Sequence, residues 1–376
     1  MEKDYLSPRV LAHAFTKNVK EGAMAIKDEK LEQWIRNSLR ENDLALSINT
    51  ISVASAAHEN DVRFNDDHIV TKASILMDPL GPIRYKGLSF MPDGYGATLA
   101  VELLHRNTMQ TAAEVLRYNL PKIWYEAPSE QMRDVFSFKF QMTFREMSGF
   151  LQNVGPGFGI ERCLYQLNNS LPCQSSLVSE SCVVDIHELL PALDKIADET
   201  DKKLRPLDRH ITAFIAARLG PSIENELSEL SQQKDSSFLL GMLRLLALLQ
   251  SKSKSQQPLY ALTSWVGSLL APTIETYFNL FTRQRIEKEI PRIVRQGSLL
   301  ELLDLVDNSQ MRDQDTKDFD NACLEYDTIE TQIQEIKSGD LSSPEAAVEQ
   351  GQKFSALASI VLLMIFISIL FLSEFS

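Results

Sequence analysis

Three glycines, Gly155, Gly157 and Gly159, run through VGPGFG into IERCLYQL, a segment with helical spacing. Glycine turns ahead of helices are where backbone N–H groups and the helix dipole hold phosphates. A phosphate cradle also takes a string of inward N–H donors and, as a rule, a lysine. Here Pro156 removes one donor, no lysine follows, and the pattern is neither GxxxxGK[ST] nor GxGxxG. Phe150, Leu151 and Val154 read as the end of a preceding helix. The plainer reading is a tight helix-to-helix turn, with Gly155 as a C-cap. These three glycines are the only cofactor-binding candidates, and no cofactor is expected.

PLDRH, residues 206–210, holds Asp208, Arg209 and His210, the residue types of a kinase catalytic loop in reversed order. Asp208 reads better as the N-cap of ITAFIAARL. No DFG and no VAIK lysine occur in the chain, and no catalytic residue is assigned. The histidines at 13, 58, 68, 105, 187 and 210 are scattered without HExxH. His68 beside Asp66 and Asp67 is the nearest approach to a metal cluster and is explained by a solvated loop. Cys163, Cys173, Cys182 and Cys323 form no CxxC pair, so they read as free thiols rather than zinc ligands. No metal site is expected.

The most unusual stretch is DPLGPIRYKGLSFMPDGYG, residues 78–96, with three prolines and four glycines. It predicts a long ordered loop, with room for a short β pair. Ordered loops carry function more often than helices do. Arg84, Tyr85, Lys86, Asp93 and Tyr95 are therefore the partner-binding candidates. A loop that covers helix ends, with Pro92-Asp93-Gly94 as a plain turn, is the alternative.

The elements that must position these residues are helical. Pro8 opens one helix and Asp28 caps the next, whose apolar residues Leu31, Trp34, Ile35 and Leu39 share a face. Later helices are expected at about 97–106, 108–118 and 129–153, and at about 258–269, 271–296, 297–307 and 311–337. The class is all-α, perceived as stacked helical pairs without a self-similar period. The serine-rich segment 168–182 separates an N-terminal helical domain, 1–168, from a C-terminal one, 183–340. Residues 341–353 read as a hinge. In the 311–337 helix Phe319, Leu324, Ile329, Ile333 and Ile336 do not keep a heptad, which gives self-association there little support.

Composition narrows the function classes. The 376 residues are 44% hydrophobic, ample for a packed core, and beyond the ~250–300 residues at which single cores stop growing. Acids outnumber bases by 51 to 38, a net charge of −13. No sustained basic run offers the phosphate-neutralising patch that nucleic acid requires, so no nucleic-acid partner is expected. RQRIEKEIPRIVRQ, residues 283–296, gathers five bases, but Glu287 and Glu289 dilute it into a charged solvent face.

The N-terminus carries no apolar signal region. Phe354–Leu372 reads FSALASIVLLMIFISILFL, uncharged throughout. As a helix it would run about 28 Å, close to the ~30 Å hydrocarbon thickness. It predicts a single C-terminal transmembrane tail anchor, with the lipid bilayer as partner and the N-terminal body in the cytoplasm.

Several segments together resemble a known group. DYLSPRVLAHAF, MDPLGPIRYKGLSFMPDGYG, GFGIERCLYQLN with LPCQS, PLDRHITAFIAARL and GSLLELLDLVDN are similar to the non-catalytic C-terminal helical region of alphaproteobacterial serine/threonine protein kinase-like proteins. The resemblance implies a bacterial inner-membrane protein and a kinase-like partner. It carries over no ATP-binding or catalytic residue, because the kinase domain has no counterpart here. The expected function is a non-catalytic scaffold or regulatory module. A divergent nucleotide-dependent phosphotransferase, or truncated kinase relative, and a structural membrane-organising protein are the alternatives.

Overall fold

The computed structural model describes residues 5–57, 65–127, 135–199, 204–253, 257–337 and 344–374. Side chains are described except at 135–137, 335–337, 344–346 and 365–374. The chain divides into two compact units. One comprises Met1–Thr276 and Arg285–Asp307, the other Tyr277–Gln284 and Asn308–Ser376.

The first unit begins with α1 (Pro8–Lys17), α2 (Val19–Lys27), α3 (Glu29–Trp34), α4 (Asn42–Ala57) and α5 (Asp66–Met77). Local chemistry starts these helices. The Ser7 side chain accepts from Val10 N–H with Pro8 in the first turn, and Asp28 accepts from Lys30 N–H. The helix expected after Asp28 does not run through. It passes into a π turn at Ile35–Leu39 and stops at Arg40, whose φ is 60°, before α4 begins. Helix α5 lies at the centre, packed by α1, α2 and α4. Leu11, Phe15, Ile26, Ile35, Ile48, Ile69 and Val70 form their shared core.

A two-stranded antiparallel hairpin follows, β1 (Ile83–Tyr85) and β2 (Leu88–Phe90), paired Ile83 to Phe90 and Tyr85 to Leu88. Next come α6 (Tyr95–Arg106), α7 (Gln110–Arg117), α8 (Leu120–Glu126), α9 (Val135–Gln152) and α10 (Ile160–Leu167). The expected start of α9 near 129 lies outside the described residues. Beyond an irregular segment stand α11 (Ile186–Ile196), α12 (Arg209–Leu219), α13 (Glu224–Leu230), α14 (Asp235–Lys252), α15 (Tyr260–Leu269) and α16 (Ala271–Ile274). Helix α10 packs on α12, and α14 is gripped by α13, α16 and later α18. Leu243, Leu245, Leu246, Trp265 and Phe214 are fully buried in this region.

Helix α17 (Leu280–Val294) spans the boundary between the units, and α18 (Leu299–Val306) closes the first. The single helix expected at 271–296 is therefore broken at 275–279. In the second unit, Asp315 accepts the N–H groups of Phe278 at 2.7 Å and Asn279 at 2.8 Å, which stops and restarts the helix there. That unit also holds α19 (Ser309–Lys337) and α20 (Pro344–Glu374).

The expected transmembrane anchor is overturned. Among the described residues no helix is long and apolar enough to cross a membrane. Helix α20 starts ten residues ahead of the expected span, within the expected hinge, and its first turns hold Glu349 and Lys353 as an ion pair at 3.3 Å. The side chains of 365–372 lie outside the described residues. The tail-anchored topology and the single-pass inner-membrane location fall with the anchor.

Candidate functional site

The hairpin of residues 83–90 is built by alternation and by its turn. Lys86 and Gly87 both have positive φ, 45° and 84°, the conformation whose twist suits a two-residue hairpin loop. Alternation buries Ile83, Tyr85 and Phe90. The Tyr85 hydroxyl donates to Glu114 Oε2 at 2.7 Å, and Lys86 Nζ donates to the same oxygen at 2.7 Å. Burial alone would raise the Glu114 carboxyl, but these two donors prevail and hold it below the ordinary range. The hydrogen bond to Glu114 raises the Lys86 ammonium in turn. Burial also pushes the Tyr85 phenol up.

Further bonds fix the rest of the loop. Thr71 Oγ1 donates to the Arg84 carbonyl at 2.7 Å, and Trp124 Nε1 to the Gly81 carbonyl at 2.7 Å. Arg9 Nε donates to Asp78 at 2.9 Å, with the Arg84 guanidinium 3.7 Å from the same carboxylate. The Tyr95 hydroxyl donates to the Ala112 carbonyl at 2.7 Å. Of the five partner-binding candidates, Tyr85 and Tyr95 are 1% exposed and face the interior. Arg84 is half-buried, while Lys86 and Asp93 reach the surface.

The glycine turn joins α9 to α10. Gly159 N–H donates back to the Phe150 carbonyl at 2.9 Å, and Phe158 N–H to the Gly155 carbonyl at 3.2 Å. Gly157 and Gly159 have φ of 79° and 86°, open to glycine at no steric cost. A Cβ on Gly157 would meet Leu227 Cδ2 at 2.6 Å, so the backbone itself is packed there. Gly159 is the N-cap of α10 and supplies no side-chain cap.

The chain itself places a negative charge at this helix start. Glu161 lies in the first turn of α10, and a Cβ on Gly159 would be 3.1 Å from its Oε2. Arg209 Nη2 donates to that oxygen at 3.2 Å. The carboxylate thus satisfies the positive end of the α10 dipole. Beside it opens a cleft of about 460 Å³, lined among others by Gln110, Arg117, Asn153, Phe158, Glu161 and His210.

The PLDRH residues are each committed. Asp208 Oδ1 accepts Ile211 N–H at 2.8 Å, capping α12, and Oδ2 accepts the Ser175 hydroxyl. The Tyr165 hydroxyl accepts Gln174 N–H at 2.8 Å and lies within hydrogen-bond distance of His210 Nδ1, 2.9 Å away. These bonds tie the segment after α10 to the start of α12. Cys163 and Cys173 are buried, and burial pushes their thiols up to about 12 and about 11. Cys182 and Cys323 are exposed.

Among the described residues no group of three or more His, Cys, Asp or Glu is placed to hold a metal ion. His68 is buried in α5, its N–H capped by Asn65, and Asp66 pairs with Lys27 at 3.2 Å. His58 lies outside the described residues.

Sequence reasoning missed two residues that the structure makes important. Glu114 gathers Tyr85 and Lys86, and Asp315 accepts the Phe278 and Asn279 N–H groups just ahead of α17. Each acts on backbone or side chains about thirty positions away. No local pattern marks either. No family model, no curated protein and no solved structure matches the chain.

Proposed function

We propose that the chain is a non-catalytic helical scaffold or regulatory module that binds another protein, with a kinase-like protein as the partner class. One observation supports this reading above the others. The groups with the chemistry for catalysis are spent on holding helices together. Asp208 caps α12, His210 is hydrogen-bonded with the Tyr165 hydroxyl, Glu161 is paired with Arg209, and two thiols are buried with raised pKa values.

The rival reading, a nucleotide-dependent phosphotransferase, would use the cleft beside Gly159. There the Glu161 carboxylate repels a phosphate at the start of α10. A thermal shift of the full chain with millimolar Mg-ATP separates the two. A nucleotide at 100 times its Kd raises stability by about 2.7 kcal/mol, enough to move the melting temperature by at least about one degree. The scaffold reading expects no shift. A saturable shift overturns it.

A further inference from the structure

Helix α19 carries a register that a count of its large apolar residues hides. With Phe319 at position a, Tyr326 and Ile333 fall at the next two a positions, and Ala322 and Ile329 fall at d. Ile336 continues the d positions in sequence. Leu324, which breaks the pattern when counted, sits at f, on the opposite side.

The start of this same face is already an interface. Stepping back one heptad, Arg312 and Asp315 occupy a and d. Arg312 lies 4.8 Å above the Tyr277 ring, Asp315 holds the Phe278 and Asn279 N–H groups, and Phe319 stacks on Phe278 at 4.0 Å and 14°. Beyond Phe319 the face continues with Tyr326 66%, Ile329 48% and Ile333 40% exposed. Thus one stripe is used at its beginning and bare along its length.

The charges beside the stripe select its occupant. Between Asp318 and Gln332 there are five acids and no base, with Asp318, Glu325 and Glu330 at the flanking g and e positions. In either orientation two copies of this helix would set acidic flanks against acidic flanks. Flanking charges decide coiled-coil partner choice. A helix with apolar a and d positions and Lys or Arg at e and g complements it.

We infer that the α19 face from Phe319 to Ile333 is a docking strip for a basic amphipathic helix of another protein, joined as a coiled coil. The inference rests on the binding-module reading and names the chemistry of the partner.

The probe is a synthetic peptide of about three heptads with Leu at a and d and Lys or Arg at e and g, beside a twin with Glu at e and g. Each is titrated by fluorescence anisotropy against the full chain. Expected is saturable binding of the basic peptide only, weakening with added salt as exposed charge pairs do. Ile329→Asp, at an exposed position, should weaken it at least about tenfold. Cys323, at position e, should be shielded from iodoacetamide by the basic peptide while exposed Cys182 is alkylated at an unchanged rate.

Binding of both peptides or neither, or unaltered binding in Ile329→Asp, overturns the inference. So does sedimentation of the chain as a dimer that shields Cys323 without peptide, which would make a second copy the occupant. An unchanged melting temperature confirms that Ile329→Asp is folded. The Mg-ATP shift is read on the other unit, so a nucleotide response and a silent peptide titration are separate failures.

Discussion

Arg209 Nη2 stands 3.2 Å from Glu161 Oε2, across 48 residues of sequence, and the pair covers the glycine turn at the start of α10. A carboxylate thereby stands beside the turn that the sequence offered as a phosphate site. The same pair links α10 to α12, whose contact is among the most extensive in the first unit.

Glu161→Gln removes the charge and keeps the shape. The Arg209 side chain is 78% exposed and that of Glu161 12%, so solvent screens much of the attraction. Adding the interaction with the α10 dipole, the loss should be about 1 kcal/mol at low salt and less at high salt. Urea melts at two ionic strengths read both. A loss that does not shrink with salt would mean that packing, not charge, is at stake.

Gly157 and Gly94 make a matched contrast. Gly157 has φ 79° and no room for a Cβ beside Leu227, whereas Gly94 is helical in φ with open space around it. Gly157→Ala should cost about 2–4 kcal/mol through backbone strain and overpacking. Gly94→Ala should be neutral or slightly stabilising. Melting temperatures of the two variants check this, and equal effects would refute the packed-turn account.

Glu114 gives the hairpin a pH dependence with two limits. Its folded pKa is depressed, so its contribution is present above the unfolded value of about 4.3 and is lost as pH falls through the lower folded value. Lys86 is raised, so its contribution is present below about 10.4 and is lost as pH climbs through the higher folded value. Glu114→Gln should cost about 1 kcal/mol at neutral pH and progressively less below pH ~4. Denaturation midpoints of both proteins across pH would show the curves converging on the acid side.

How far the sequence could lead is clear from individual residues. Asp28 and Asp208 were legible as caps because a cap acts within three residues. The hairpin's turn was legible in outline, since Lys86-Gly87 is a local signal. The break at 275–279 was not, because Asp315 reaches it from 36 residues away. Nor was the ion pair beside the glycine turn, which depends on α12 bringing Arg209 to Glu161. The α19 heptad was present in the sequence but needs Ala322 and Tyr326 to be counted as apolar. The C-terminal apolar run invited a membrane span that the described helices do not supply.

Gln250 is a clamp that no pattern in the sequence announces. Its Nε2 donates to the Gly297 carbonyl at 2.9 Å, and its Oε1 accepts Leu299 N–H at 2.8 Å, which fixes α14 to the start of α18. The same Gly297 carbonyl accepts Leu259 N–H at 2.9 Å. Gln250→Leu keeps the volume but leaves the N–H of fully buried Leu299 without its partner, at a cost of about 1–3 kcal/mol. Gln250→Glu is more telling. An ionised carboxylate keeps the bond to Leu299 N–H but repels the Gly297 carbonyl, whereas a protonated one donates to it. Its folded pKa should therefore be raised, so this variant should lose stability as pH rises past about 4.3. Denaturant midpoints of the wild type and this variant at pH 4.5 and 7 should show a gap that widens with pH. A gap that stays constant would show that the amide N–H to Gly297 contributes nothing the carboxylate cannot replace.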